Sequence, residues 1–219
     1  MSKKNCYTLL FTFFLGGVIS FAQGGKLLIQ QYSKGPELDQ NYSKWSLRFG
    51  PQLSRINTDL GTTSPTLSLG GLMEIEYRLS KTVGLVSGVQ FTPISYSYME
   101  GDSTATDQLK YISYPLLLRL QPTSKVSFGL GLVYQAYLNG EKKLEKDKVQ
   151  SFTPFADGIF RDTLGGNVQV AYHLGQQLLV FGNFRWVGRI SPPTQPQTNN
   201  TSGFQLGIVY RLWKSTLNH

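Results

Sequence analysis

The most constraining feature of this chain is a side-chain period of two that starts near residue 45 and persists almost to the end. Its clearest stretch is 67–79. Leu67, Leu69, Gly71, Met73, Ile75, Tyr77 and Leu79 fall on one face, and Ser68, Gly70, Leu72, Glu74, Glu76 and Arg78 on the other. Successive side chains of a strand point to opposite faces, so these residues make one apolar and one polar surface. A helix would mix them around its circumference. The pattern returns in 45–55, 83–98, 109–121, 126–138, 164–174, 178–190 and 204–213. No helical period competes over a comparable length, which argues against a helical domain or a βαβ enzyme. Eight strands follow.

Within 83–98 the apolar residues Val83, Leu85, Val89 and Phe91 change phase after Pro93 to Ile94, Tyr96 and Tyr98. A bulge at the proline would produce that shift. In 178–190, Leu178, Val180, Phe184, Trp186 and Ile190 share the apolar face.

The connections carry a second signal. Segments 79–82, 121–125 and 175–177 are short turns, whereas 57–65, 99–108, 139–162 and 191–203 are long. Short and long alternate strictly. Transmembrane barrels show this because short turns face the periplasm and long loops face outward. An even strand count then leaves both chain ends on the periplasmic side.

Period two does not by itself choose the solvent, because a soluble barrel alternates too, with its apolar face inside. On such a barrel the polar face would be dense in Lys and Glu. Here it is mostly small or neutral: Gly84, Gly88, Gln90, Gly129, Gly131, Gln135, Asn167, Gln169, Asn183, Gln205 and Gly207. That suits a narrow, crowded lumen. Aromatic residues near strand ends, Trp45, Tyr77, Tyr98, Trp186, Tyr210 and Trp213, fit interfacial belts. The expected fold class is all-β, an eight-stranded antiparallel transmembrane barrel of up-and-down order. A soluble barrel or sandwich is the alternative.

The N-terminus bears on the compartment. Lys3 and Lys4 precede an apolar stretch from Tyr7 to Ile19, and Ser20-Phe21-Ala22 ends in a small residue. This reads as a signal peptide over 1–22. As a membrane anchor the stretch would be too short to cross about 30 Å of hydrocarbon as a helix. The expected organisation is then a periplasmic lead-in over 23–43, a barrel over 44–214 and a short tail over 215–219. Cys6 is the only cysteine, so the mature chain would hold no disulfide and no thiol chemistry. Loss of Lys3 and Lys4 takes the 21 basic residues to 19 against 13 acidic ones, a net charge of +6. For an exported chain the expected counterpart of that charge is an anionic lipid or lipopolysaccharide surface rather than nucleic acid, and the alternative is a chain that is merely basic, with no partner behind the charge.

The strands resemble the outer-membrane β-barrel domain proteins common in Bacteroidota, a group that includes the PorT-like proteins. The likeness rests on Tyr111-Ile112-Ser113-Tyr114-Pro115-Leu116-Leu117-Leu118-Arg119, on Phe128-Gly129-Leu130-Gly131 leading to Tyr137-Leu138, and on Phe204 to Leu212. It covers about residues 45–213. The resemblance implies an outer-membrane location and a non-enzymatic structural or accessory role in secretion or envelope assembly. The partners it implies are envelope or secretion proteins.

Chemistry-bearing residues are sparse. His173 points into the periplasmic end of the lumen and His219 closes the chain. One lumen histidine without cysteine does not make a transition-metal site, and no catalytic set, cofactor motif or metal set emerges. Arg48, Glu74, Glu76, Arg78, Arg119, Arg185 and Arg211 share the polar face with His173 and are expected to form a lumenal network. Buried charges must pair to offset desolvation, so the network reads first as a plug and second as a relay or gated pore. An eight-stranded barrel is just wide enough for its own side chains. Loop 139–162 carries a charge run followed by Phe152, Phe155, Ile159 and Phe160. Those aromatics either extend the next strand or form a partner-binding surface. The remaining alternatives are a small pore, a lipid-modifying enzyme and a soluble periplasmic binding barrel.

Overall fold

A computed structural model describes residues 43–59, 62–146, 149–188, 190 and 200–216, with backbone alone for 43, 146 and 213–216. The expected signal peptide, the lead-in before residue 43, the tail after residue 216, the tip 191–199 and the Trp213 side chain lie outside the described residues, while residues 43 and 215–216, expected to flank the barrel, belong to its first and last strands.

The chain forms β1 (Ser43–Thr58), β2 (Ser64–Thr66), β3 (Ser68–Arg78), β4 (Val83–Glu100), β5 (Ser103–Leu120), β6 (Val126–Lys146), β7 (Val149–Pro154), β8 (Thr163–His173), β9 (Leu178–Val187) and β10 (Thr201–Thr216). Eight of these make an antiparallel ring in the order β1-β3-β4-β5-β6-β8-β9-β10, and β10 pairs back onto β1 to close it. The other two are short additions: β2 pairs with β4 and β7 with β6. The three short turns satisfy their own backbone. Ser80 Oγ accepts the Val83 N–H at 3.0 Å, Thr123 Oγ1 accepts the Val126 N–H at 3.1 Å, and the Leu174 N–H donates to Leu178 O at 3.0 Å.

The usual inside-outside rule is inverted. Leu69, Leu130, Leu206 and Phe204 are all more than 60% exposed. Arg48, Glu74, Gln90, Arg119, Gln135, Asn167, Arg185 and Gln205 are almost wholly buried. Soluble proteins seldom expose apolar patches beyond a few hundred Å². Here the outward face of every ring strand is apolar, so the surrounding solvent is hydrocarbon and the molecule is a transmembrane β-barrel. Trp45 and Tyr77 stack at the turn end with ring centroids 4.5 Å apart, and Phe49 meets Tyr210 edge-on at 6.1 Å nearby. At the opposite end Trp186 stands with the outward-facing Tyr114 and Tyr134, whose rings are 6.3 Å apart. These residues lie toward the two ends of the apolar outer face. Tyr98 is not among them. It turns toward the interior of the long-strand side.

Three expectations are corrected. Segments 99–108 and 139–162 are not mainly loops. β4 and β5 continue to a two-residue turn at Gly101-Asp102, where Gly101 takes a left-handed φ of +61°, and β6 runs on to Lys146. Ala105, Asp107 and Leu109 still alternate inward there, while the outward positions are polar. Above the bilayer the outer face no longer needs to be apolar, so the pairing continues after the hydropathy signal has faded. The phase does not shift at Pro93 either. The β4–β5 register is unbroken from Gln90↔Ser113 to Glu100↔Ser103. The bulge lies on β6, between Tyr137 and Asn139. Pro93 falls between the β3 pairing, which ends at Phe91, and the β2 pairing, which begins at Ser95, so its missing N–H costs no ladder bond on that side. Ile94 and Tyr96 therefore face inward. So does Ile190, which is fully buried. The lumen changes from polar to apolar along its length, and a single inside-polar rule misreads its upper half.

A charge on the lipid face tests this orientation. Leu130→Arg should destabilise the barrel by roughly 2–4 kcal/mol. Thr104→Arg, outward on the extension, should be nearly neutral. Reversible urea unfolding in lipid vesicles measures both.

Candidate functional site

The inward side chains form three tiers. At the turn end, alternate positions on neighbouring strands put Arg48 of β1 beside Glu76 of β3, and Glu74 within reach of Arg119 of β5. The Arg48 guanidinium bonds Glu76 Oε2 directly, and Ser46 Oγ donates to the same oxygen at 3.3 Å. Arg119 Nη1 lies 3.6 Å from Glu76 and its Nη2 3.6 Å from Glu74. The same Nη2 donates to Gln169 Oε1 at 2.6 Å. Arg78 Nε is 3.8 Å from Glu76, and its Nη2 donates to Gln121 Oε1 at 3.1 Å. The expected network thus gathers Arg48, Glu74, Glu76, Arg78 and Arg119. Arg211 lies beside it, opposite Arg48 in the β1–β10 register. His173 is buried at the same end, at the last position of β8.

Arg185 stands apart from that cluster. It projects from β9, and its Nη2 donates to Gln90 Oε1 at 2.6 Å on β4. Its Nη1 reaches Ser113 Oγ at 3.1 Å and Thr92 Oγ1 at 3.4 Å. In the ring order β9 and β4 are diametrically opposed. One side chain therefore crosses the barrel from wall to wall. Gln90 Nε2 in turn donates to Glu74 Oε1 at 3.4 Å, which links this beam to the charged tier below. Thr92, Ser113 and Gln135 complete a neutral hydrogen-bonded row.

Above Arg185 the lumen is apolar. Ile56, Ile94, Tyr96, Leu109, Tyr111, Val133, Val187 and Ile190 pack into one cluster. Phe160 inserts from the connection between β7 and β8. It meets Phe155 edge-on at 4.9 Å and Tyr137 at 5.6 Å. The connection is pinned at several points. The Phe155 N–H donates to Gly140 O at 3.0 Å and the Arg161 N–H to Ile190 O at 2.7 Å. Asp162 accepts the Tyr137 N–H at 2.9 Å and the Tyr134 hydroxyl at 2.6 Å. This corrects the partner-loop expectation: Phe155 and Phe160 belong to the plug. Only Phe152, on β7, is exposed. A second apolar cluster, Leu72, Ala171, Leu179, Phe181 and Val209, fills the other wall. There the Phe181 ring lies over Gly207, where a Cβ would come within 2.5 Å of it.

On the extension, Tyr98 donates to Asp107 Oδ1 at 3.3 Å and Lys142 pairs with Glu100 at 3.0 Å. Burial pushes the Asp107 carboxyl above its ordinary value, against the Tyr96 and Tyr98 hydroxyls and the Lys142 charge, which pull it down. Sequence reading missed Asp107, Thr92 and Ser113, and it placed Gln90 on the lumenal face without assigning it to the network. Continuing the period-two count past the hydropathy limit of β5 would have placed Asp107 inside.

No family model and no curated protein sequence matches the chain. Solved structures similar to it include Ail, the attachment invasion locus protein of Yersinia pestis, in complex with the heparin analogue sucrose octasulfate. That likeness has a TM-score of 0.47 at 14% identity over 77% of this chain and 97% of that one. Neisserial surface protein A gives 0.45 at 12% identity over 77% and 97%. OprG from Pseudomonas aeruginosa gives 0.41 at 15% over 81% and 98%.

Two outcomes follow from the geometry. Glu76→Met strands Arg48 in the interior and should cost roughly 3–5 kcal/mol, while Arg48→Met added to it should recover part of that loss. Urea unfolding of the two variants checks this. For Asp107 the raised folded-state value means that its stabilising share is full below about pH 3.9 and is lost as pH rises through the folded value. Amide exchange over 94–110, corrected for intrinsic rates, should therefore slow in acid, and Asp107→Asn should remove that pH dependence.

Proposed function

We propose that this chain is an integral outer-membrane barrel with a structural or accessory role in secretion or envelope assembly, and that it does not act as a diffusion pore. The observation that carries this reading is the filled lumen. Arg185 ties opposite walls together, and the Phe160 cluster occupies the space above it. With the interior committed to packing, the surfaces are what remain to act. Short turns and both termini face the periplasm, and the long β4–β5 and β6–β7 hairpins face outward. The lipid-facing partner is an outer membrane with lipopolysaccharide, matched by the basic balance of the chain. The hairpin side ends in β7, whose six residues are all exposed. An exposed strand edge offers unpaired N–H and C=O groups to a protein partner. The resemblance to PorT-like proteins of Bacteroidota favours a secretion complex among the possible assemblies, and export by the N-terminal signal segment is part of the same reading.

Gentle detergent extraction from native outer membranes, followed by sizing, tests the role. Defined envelope or secretion proteins should travel with the chain, and the purified barrel should be silent in planar bilayers. Migration as a lone compact monomer removes the accessory reading, and discrete conductance steps favour a pore instead.

A further inference from the structure

The buried charges below the apolar plug do not balance. Arg48, Arg119 and Arg185 are each 1% exposed, against Glu74 and Glu76 at 1% and 2%. Arg48 and Arg119 take both glutamates. Arg185 has only neutral acceptors, Gln90, Thr92 and Ser113, and among the described residues no carboxylate lies within ion-pair distance of it. An uncompensated guanidinium in a barrel interior carries a desolvation penalty of several kcal/mol.

Next to it lies a set of buried hydrogen-bonding groups without partners. Arg185 Nε is one. Asn167 stands directly opposite Arg185 on β8, and both ends of its carboxamide are unpaired. Asn183 is two residues before Arg185 on the same inward face of β9, and Gln205 stands opposite Asn183 on β10. Both of their carboxamides are likewise unpaired at each end. Opposed side chains on paired strands start about 5 Å apart and diagonal ones about 7–8 Å, so all four groups can reach one point. Three amide NH2 groups and a guanidinium N–H supply donors, and the local charge is positive by one.

We propose that the barrel holds a single buried monovalent anion of the halide class, bound by Arg185 Nε and the side-chain amides of Asn167, Asn183 and Gln205. The anion is the counter-ion that the protein does not supply for Arg185. A small anion satisfies several donors at once, while the amide oxygens turned away from it bond internal water. The site does not depend on the role proposed above, since it concerns only the interior of the barrel.

The test uses the refolded full-length mature barrel in detergent. Thermal unfolding is followed in sodium chloride, sodium bromide and sodium gluconate at equal ionic strength. The halides should raise the midpoint by about 5 °C in a saturable manner. Asn167→Asp places a carboxylate opposite Arg185 and should abolish the difference, with a midpoint in gluconate at least equal to that of the wild type. Arg185→Gln should also lose the halide dependence where it folds. Crystals grown in bromide should show an anomalous peak within hydrogen-bond distance of Arg185 Nε. Equal midpoints in all three salts, an unchanged halide shift in Asn167→Asp, or a bromide-free interior would each overturn the site.

Discussion

Backbone hydrogen bonding in hydrocarbon is the constraint on which everything else rests. A strand in lipid has no water to take its N–H and C=O groups, and each one left unmade costs several kcal/mol. The register of β10 on β1, running from Thr58↔Thr201 back to Ser43↔Thr216, removes the last free edge of the ring. Once the ring is closed, the side chains have only two places to go. Odd positions of β3 face lipid and even ones face the lumen, and the same alternation, with one parity or the other outward, runs strand by strand around the barrel. Apolar exposure and polar burial are two consequences of one closure.

A closed ring of eight strands encloses little space, and what enters must be satisfied there. The charged tier meets this by sharing. Glu76 takes Arg48 directly and has Arg119 and Arg78 within ion-pair distance. Above it the chain changes strategy and fills the space with Ile94, Tyr96, Tyr111 and Phe160, which need few polar partners. The change occurs where the strands leave the bilayer. There the sheet of β4, β5 and β6 rises past its neighbours, and the connection after β7 folds back over the opening. The plug is thus made largely by the longest strands and by the loop they carry.

Much of this was legible in the sequence, for a definite reason. Where the outer face must be apolar, the pattern is strict, so Leu67 to Leu79 or Phe204 to Leu212 could be read residue by residue. The lumenal set Arg48, Glu74, Glu76, Arg78 and Arg119 followed from parity alone. Reading failed where one of the two faces lost its constraint. Outside the bilayer Thr104, Thr106 and Gln108 face water, so β5 looks like a loop from its composition. Within the plug Ile94 and Tyr96 are apolar on the inner face, so an unbroken β4 looks like a phase change. Phe155 and Phe160 looked like a docking surface because period two does not say how a loop folds back. Long-range pairs such as Arg185 with Gln90, 95 residues apart, depend on barrel diameter and side-chain reach, which local pattern does not contain.

The position of Arg185 has a consequence for how rigid the barrel is. A polar side chain bound only to its own wall could swing aside and open a path. Arg185 is held on the far wall by three acceptors, Gln90, Thr92 and Ser113, and Ser113 in turn donates to Thr92 and accepts from Gln135. Moving it would break several buried bonds at once, each leaving a donor or acceptor unsatisfied at a cost of about 1–3 kcal/mol. Below it, Gln90 couples the beam to Glu74, so the charged tier would have to rearrange as well. Thermal motion does not readily open such an interlocked interior. A barrel built in this way commits its lumen to packing rather than to an open path.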